Sequence, residues 1–234
     1  LLESRGLGDV YKRQVYPNAG NIGGGGFLVY RLNNGDIGTL DFREKAPEKS
    51  YRDMYIDNIE GELKVDDKRS KIGHLASGVP GSVDGMVKIY DKFSTVDWKT
   101  LLEPSIKVAR EGFGVTEKQA KGLNNVEKSL LSANDHPIQF IKEDPWKVGD
   151  ILTQKNLANT LEEIKKSKRD GFYKGAVAEL IINEMKSGGG IITQSDLDNY
   201  SSVWREPVIG YFKNHKIISM GPPSSGGIAL VQLL

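Results

Sequence analysis

The chain has 234 residues, enough for one large domain or two small ones with a substantial core, so a peptide or a stapled miniature fold is excluded. Its 32 Lys and Arg nearly balance 31 Asp and Glu, for a formal net charge of +1 with both signs mixed, and no nucleic acid partner is expected. Cysteine is absent, which excludes disulfides, thiolate metal sites and a cysteine nucleophile.

The first 14 residues do not resemble native protein. They lack a starting methionine and the charged-then-apolar layout of a secretory signal, and Ser4–Gln14 resembles translated sequencing-adapter sequence. At the other end, Ile228–Leu234 is an apolar, helix-competent run without a cap or stop signal. We therefore expect residues 1–14 to be an artefact, residues 15–234 to be native, and both ends to be breaks in a longer protein.

The N-terminal part predicts a hairpin after a glycine run. Gly23–Gly26 allow backbone to approach backbone or a ligand closely. Phe27–Leu32 and Ile37–Phe42 are typical strands joined by an Asn-Asn-Gly turn. The charged stretch 48–69 is predicted as surface loop or short helix, and Ser77–Gly85 as a tight turn leading into a buried helix.

The middle of the chain predicts helices. A shared apolar face follows Trp98, where Pro104 is expected to begin a second helix and Gly112 to end it. Thr153 is expected to cap the next helix, whose basic end Lys165–Arg169 is interpreted as solvated, because cations suit the negative end of a helix dipole. Ala176–Met185 repeats the helical pattern.

Strands return near the C-terminus. Thr193–Asp196 is a capped turn, and Val208–Phe212 alternates with Lys216–Met220 as a strand pair. Strands at both ends and helices between them favour one α+β layered domain in which distant segments join one sheet.

The glycine run has two open interpretations. It leads into a strand pattern and lacks Gly-Lys-Ser/Thr, so a nucleotide site, which would need a helix N-terminus there, is disfavoured. The glycines then either allow close strand packing or line a substrate pocket.

Arg43 is the sharpest candidate for binding. A guanidinium at the end of a strand can hold a carboxylate through two parallel hydrogen bonds. The alternative from the residue alone is a salt bridge to Glu44 or another acid, and both remain open at this point.

Other catalytic chemistry is poorly supported by the sequence. Ser224 and Ser225 lie in a rigid turn but lack the Gly-x-Ser-x-Gly elbow of a serine nucleophile. The histidines His74, His136 and His215 are scattered and expected at the surface, which argues against a triad or a zinc site. No metal and no cofactor is expected.

Six motifs, in this order, resemble the large subunit of the γ-glutamyltranspeptidases. Together they cover about residues 15–234, and each alone would be weak. They are Asn21–Phe27, Asp41–Pro47, Gly78–Val83, Glu111–Phe113, Phe172–Gly175 and Pro222–Gly227.

The resemblance implies an N-terminal-nucleophile hydrolase with an αββα four-layer sandwich, made as one precursor that cuts itself into a large and a small subunit. The small subunit's N-terminal threonine would attack the γ-glutamyl carbonyl of a substrate such as glutathione. Water, an amino acid or a dipeptide would then accept the acyl group. The chain contains no residue matching that threonine, so this part is expected to be inactive by itself.

Arg43 matches the family arginine that binds the α-carboxylate of the γ-glutamyl group, and it is the one site residue the resemblance transfers; Ser224 and Ser225 match a signature without an assigned role. A related self-processing acylase and a non-catalytic homologue used as a binding module are the alternatives. The resemblance implies a periplasmic or secreted protein, and no apolar run reaches the roughly 20 residues of a membrane span.

Overall fold

The computed structural model describes residues 21–66, 68–134 and 136–234, so the segment interpreted as an artefact, 1–14, lies outside the described residues. The described strands are β1 (Phe27–Arg31), β2 (Ile37–Asp41), β3 (Ile56–Ile59), β4 (Glu62–Val65), β5 (Phe113–Gly114), β6 (Ile151–Leu152), β7 (Val203–Arg205), β8 (Val208–Phe212) and β9 (His215–Ser219). The α-helices are α1 (Ser82–Phe93), α2 (Trp98–Glu111), α3 (Glu117–Ala133), α4 (Lys155–Ser167), α5 (Asp170–Tyr173), α6 (Gly175–Ser187), α7 (Gln194–Asn199) and α8 (Gly226–Leu233).

The predicted first hairpin is confirmed. β1 and β2 pair antiparallel with Phe27 opposite Asp41, and Gly35 takes a positive φ of 93° in the connecting turn. β7 adds to the other side of β2, so that Leu40 faces Trp204. The sheet order β1-β2-β7 confirms that distant segments join one sheet, and the joining strand β7 was not among the predicted strands.

The prediction of loop or short helix for 48–69 was wrong for residues 56–65. β3 and β4 form a second antiparallel hairpin there, closed by Glu60 and Gly61, both at positive φ. Most of its side chains are exposed, so it lacks the one-sided apolar alternation that marks a strand in a sequence. The C-terminal hairpin of β8 and β9 was predicted correctly, with Phe212 opposite His215.

Pro104 does not begin a new helix, because α2 runs through it. The proline costs one main-chain hydrogen bond, but its neighbours Leu102 and Ile106 are fully buried and α2 packs against α4. Tertiary burial therefore outweighs the local penalty. Gly112 ends α2 as predicted, at a φ of 86°.

Two further helix predictions need correction. The N-cap of α4 is Gln154 rather than Thr153, because the Gln154 carbonyl accepts the first bond of the helix, from the Ala158 amide at 2.9 Å. The Gln154 amide donates to the Ala109 carbonyl at 2.7 Å, which anchors the start of α4 to the end of α2. The helix α3 was not predicted, although Thr116 and Gln119 give it a capping box.

The main core lies between α1, α2 and the helices α4 to α7, around buried side chains such as Leu161 and Leu197. A smaller cluster around Trp146 covers the start of α3. Across the described ranges, none of the helices has both the length and the apolar character needed to cross a bilayer.

Candidate functional site

Arg43 lies two positions after the last residue of β2, and its side chain is exposed. Within residues 21–66, 68–134 and 136–234, the guanidinium makes no hydrogen bond, ion pair or ring contact, so the salt bridge to Glu44 that the sequence left open is not formed there. A guanidinium of this kind keeps its donors for an anion and loses no protein contact on binding one.

The main chain of Arg43, by contrast, is held at both polar groups. Its amide donates to Asp41 Oδ1 at 3.1 Å, and its carbonyl accepts from the Tyr200 hydroxyl at 2.8 Å. Asp41 Oδ2 in turn accepts from Arg205 Nε at 2.9 Å, on the neighbouring strand β7. The backbone of Arg43 is thus held on both sides, whereas no contact in the described residues holds its guanidinium.

The glycine run packs against the backbone on either side of Arg43. Gly26 exchanges two main-chain hydrogen bonds with Phe42, at 3.2 and 3.0 Å. A Cβ atom on Gly25 would lie 2.5 Å from the Phe42 carbonyl oxygen and 2.7 Å from the Glu44 nitrogen. Close strand packing, one of the two open interpretations, is therefore what Gly25 and Gly26 provide, and it holds the backbone on either side of Arg43.

The Gly78–Val83 motif contacts both the glycine run and the segment that follows Arg43. Val79 and Lys45 form an antiparallel bridge through two main-chain hydrogen bonds, and the Gly24 carbonyl accepts from the amides of Gly81 and Ser82 at the start of α1. A side chain on Gly81 would collide with the Tyr200 hydroxyl and with the Phe42 carbonyl. This motif therefore needs glycine for a close approach.

Tyr200, which binds the Arg43 carbonyl, belongs to a stack of three side chains. The rings of Tyr200 and Tyr173 are parallel within 7°, with centroids 5.8 Å apart, and the Arg169 guanidinium lies 4.5 Å from the Tyr173 ring centre. The Tyr173 hydroxyl donates to the Pro80 carbonyl at 2.8 Å. Four of the six motifs are therefore linked around Arg43 by direct contacts.

Both tyrosine hydroxyls stay protonated. Burial raises the pKa of Tyr173 far above its usual range, and burial together with the negative charges of Asp84, Asp41 and Glu44 does the same for the pKa of Tyr200. Each hydroxyl is therefore a hydrogen-bond donor at neutral pH.

The interpretation of Lys165–Arg169 as a solvated helix end was wrong for its last residue. Arg169 Nε donates to Asp84 Oδ1 at 2.9 Å. Its Nη2 donates to three main-chain carbonyls, those of Leu197, Asp198 and Tyr200. No local pattern indicates this contact, because Asp84 is 85 positions away and a basic run normally faces solvent.

The serines and histidines are not brought together into a catalytic group. Ser224 Oγ accepts from the Gly226 amide at 3.3 Å, which shapes the turn before α8. His74 is half-buried, contrary to expectation, and pairs with Glu184 Oε1 at 2.8 Å, whereas His136 and His215 are exposed. Among the described residues, no group of three His, Cys, Asp or Glu side chains is placed to hold a metal ion.

Comparison with known proteins identifies the family. The Gamma-glutamyltranspeptidase family model matches residues 11–234. The chain is 43% identical over 222 residues to the glutathione hydrolase proenzyme of Escherichia coli K12, a match that covers 94% of this chain and 38% of that protein. The chain therefore spans about two fifths of the length of this curated relative.

Solved structures agree. The γ-glutamyltranspeptidase of Helicobacter pylori superimposes with a TM-score of 0.94 at 43% identity, over 99% of this chain and 66% of that one. The cephalosporin acylase of Bacillus halodurans superimposes with a TM-score of 0.79 at 18% identity, over 93% of this chain and 41% of that one, which shows a shared fold alone. The fold is thus the α+β N-terminal-nucleophile hydrolase fold implied by the motifs. Because the family model and close relatives cover nearly the whole sequence, the chain belongs to the γ-glutamyltranspeptidase family.

Proposed function

We propose that this chain supplies the donor-carboxylate anchor of an enzyme that transfers and hydrolyses γ-glutamyl groups, with glutathione and other γ-glutamyl amides as donors. The observation that carries the proposal is the exposed Arg43 guanidinium, which has no ionic partner in the described part of the chain, at the meeting point of four family motifs. A planar guanidinium matches the two oxygens of an α-carboxylate.

The bond-breaking groups are proposed to come from the small subunit of the same precursor, outside these 234 residues. Its N-terminal threonine would attack the γ-carbonyl, with the free amine taking the hydroxyl proton and passing it to the departing amine. Backbone N–H groups of that subunit would hold the oxyanion. Water would then release glutamate, whereas an amino acid or dipeptide would take the γ-glutamyl group.

This division of labour has consequences for the segment itself. Residues 15–234 would be part of the large subunit and inactive when produced alone. We also propose that the complete protein acts in the periplasm or outside the cell, on the basis of the family resemblance. Producing the chain with and without the rest of its precursor, and assaying a γ-glutamyl anilide, tests the first point.

The energetic weight of Arg43 can be bounded. A charged hydrogen-bonded contact contributes roughly 1.5–3 kcal/mol, and its loss leaves the carboxylate of the ligand unpaired. Arg43→Ala in the complete protein should therefore raise KM for γ-glutamyl substrates at least about tenfold while self-cleavage persists.

The matched control is Arg52→Ala. The Arg52 side chain is 96% exposed, and its ion pair with Asp53 is long, with Nε 3.8 Å from Oδ1. It should leave KM unchanged. An Arg43→Ala protein with the KM of the unmodified enzyme would overturn the proposal.

The shared fold with a cephalosporin acylase leaves a related acylase as the second candidate in the same fold, but no contact in the described residues favours it over a γ-glutamyl donor. A non-catalytic binding module is the candidate from another class. An amide substrate without an α-carboxylate distinguishes the related acylase from the γ-glutamyl enzyme. If the γ-glutamyl proposal holds, Arg43→Ala should not change the KM for that substrate. Absence of any turnover by the complete, self-cleaved protein would favour the non-catalytic binding module.

A further inference from the structure

We propose that Tyr200 is a positioning residue for Arg43: its hydroxyl holds the Arg43 carbonyl and so fixes the direction in which the guanidinium leaves the backbone. This inference rests on the proposed function, because it gives Tyr200 a role in binding the donor carboxylate through Arg43. No substrate contact by Tyr200 is implied.

The contact joins distant parts of the chain. Tyr200 ends α7, lies 157 positions after Arg43, and donates to its carbonyl at 2.8 Å. The tyrosine is 3% exposed, so its hydroxyl has little access to water as an alternative partner. The bond is therefore a fixed feature of the interior rather than a surface contact.

The ring of Tyr200 has little freedom to move. It stacks on Tyr173, and the Lys45 ammonium lies 5.1 Å from its centre while donating to the Ser201 carbonyl at 2.8 Å. Gly81 leaves just enough room for the hydroxyl, since a Cβ atom there would overlap it. Packing thus aims the hydroxyl at the Arg43 carbonyl.

Asp41 anchors the other side of the same residue. Its Oδ1 accepts from the Arg43 amide while Oδ2 is held by Arg205. With both main-chain groups held, the torsions left to Arg43 are those of its side chain. An arginine anchored in this way loses less conformational freedom on binding, which favours affinity without any new contact to the ligand.

The test is Tyr200→Phe in the complete, self-cleaved enzyme, a change that removes the hydroxyl and keeps the ring. We expect KM for a γ-glutamyl anilide to rise about threefold to tenfold, with kcat at saturation within about twofold, as for loss of one buried hydrogen bond. The matched control is Tyr55→Phe, which removes a hydroxyl that donates to the Leu75 carbonyl at 2.9 Å elsewhere in the chain. Its KM should be unchanged.

A double variant separates positioning from general loosening. If Tyr200 acts through Arg43, then Tyr200→Phe adds nothing to KM once Arg43→Ala is present. An equal rise in both backgrounds, or an unchanged KM in Tyr200→Phe while Arg43→Ala raises it, overturns the inference alone. An unchanged KM in Arg43→Ala overturns the proposed function, and this inference with it.

Should Tyr200→Phe fail to self-cleave or accumulate, Asp41→Ala tests whether holding the Arg43 backbone matters, because it removes the acceptor of the Arg43 amide. It is expected to raise KM with Arg43 present and to have no effect on KM in the Arg43→Ala background. A rise of the same size in both backgrounds counts against positioning.

Discussion

Arg169 and Asp84 form an ion pair between two helical segments, with Nε of the arginine 2.9 Å from Oδ1 of the aspartate. The Asp84 side chain is 4% exposed, and its Oδ2 accepts from the Ser202 amide at 2.7 Å. Arg169 also donates to the Tyr200 carbonyl at 2.7 Å. The pair therefore ties α1 and the start of α5 to the segment that carries Tyr200 and leads into β7.

Removing the positive partner should be costly. Arg169→Met removes the nearer of two cations that face the buried Asp84 carboxylate, while Lys88 Nζ stays 3.6 Å from Oδ2. We therefore expect a loss of about 1.5–3 kcal/mol in the free energy of unfolding, as for a hydrogen bond to a charged group. Urea denaturation of the complete protein measures it. Lys166→Met is the control, because Lys166 pairs with Glu163 at an exposed site and should lose less than about 1 kcal/mol. Equal losses for both variants would contradict this view of the pair.

Two alanine variants in the glycine run should differ in stability and in KM. Gly25→Ala places a Cβ atom against the backbone on both sides of Arg43, so we expect a loss of about 1–3 kcal/mol in stability and a higher KM for γ-glutamyl donors. Gly23→Ala meets nothing within 4 Å and should change neither quantity. Thermal melts and steady-state kinetics on the complete protein check both, and similar behaviour of the two variants would refute the packing argument.

The geometry of Arg43 predicts a graded substitution series. Arg43→Lys keeps the charge but loses the planar fork, so its KM should lie between those of the unmodified enzyme and Arg43→Ala. A KM for the lysine variant equal to that of the unmodified enzyme would mean that charge alone suffices. One equal to that of the alanine variant would mean that the paired hydrogen bonds are essential. Steady-state kinetics at fixed ionic strength distinguishes the three cases.

Acid should weaken one surface link within the connection between α3 and β6. The Lys142 ammonium, hydrogen-bonded to the Asp150 carboxylate at 2.6 Å, and the Lys147 amide hold the pKa of Asp150 below its ordinary value of 3.8. A carboxyl whose folded pKa is depressed stabilises the fold above the unfolded pKa, and this contribution disappears as the pH falls through the folded pKa.

The corresponding experiment compares Lys142→Met with the unmodified protein by thermal melts. The variant should have the lower Tm near neutral pH. The gap should begin to shrink as the pH falls below about 3.8 and should close once the pH has passed the depressed folded pKa of Asp150 in the unmodified protein. A gap that is the same in acid and at neutral pH would show that the lysine stabilises through packing on Trp146 rather than through its charge.

Local patterns in the sequence were sufficient for much of the fold. The first and last hairpins and the helices α1, α6 and α7 follow from turn residues, apolar spacing and caps, all of which act over a few positions. The errors fall where burial outweighs a local signal, as at Pro104, or where a strand pair lacks a buried face, as in β3 and β4. The placement of Arg43 at the end of a strand was also readable from the sequence.

Residue identities and short spacings were enough to indicate the family and the order of its motifs, and through that resemblance they made Arg43 the candidate for binding a carboxylate. The tertiary structure decided what surrounds that arginine. Tyr200 reaches it from 157 positions away, and Arg169 is a partly buried ion-pair and hydrogen-bonding partner rather than a solvated charge. Such contacts depend on the path of the whole chain, which brings together side chains whose local neighbours give no sign of the pairing.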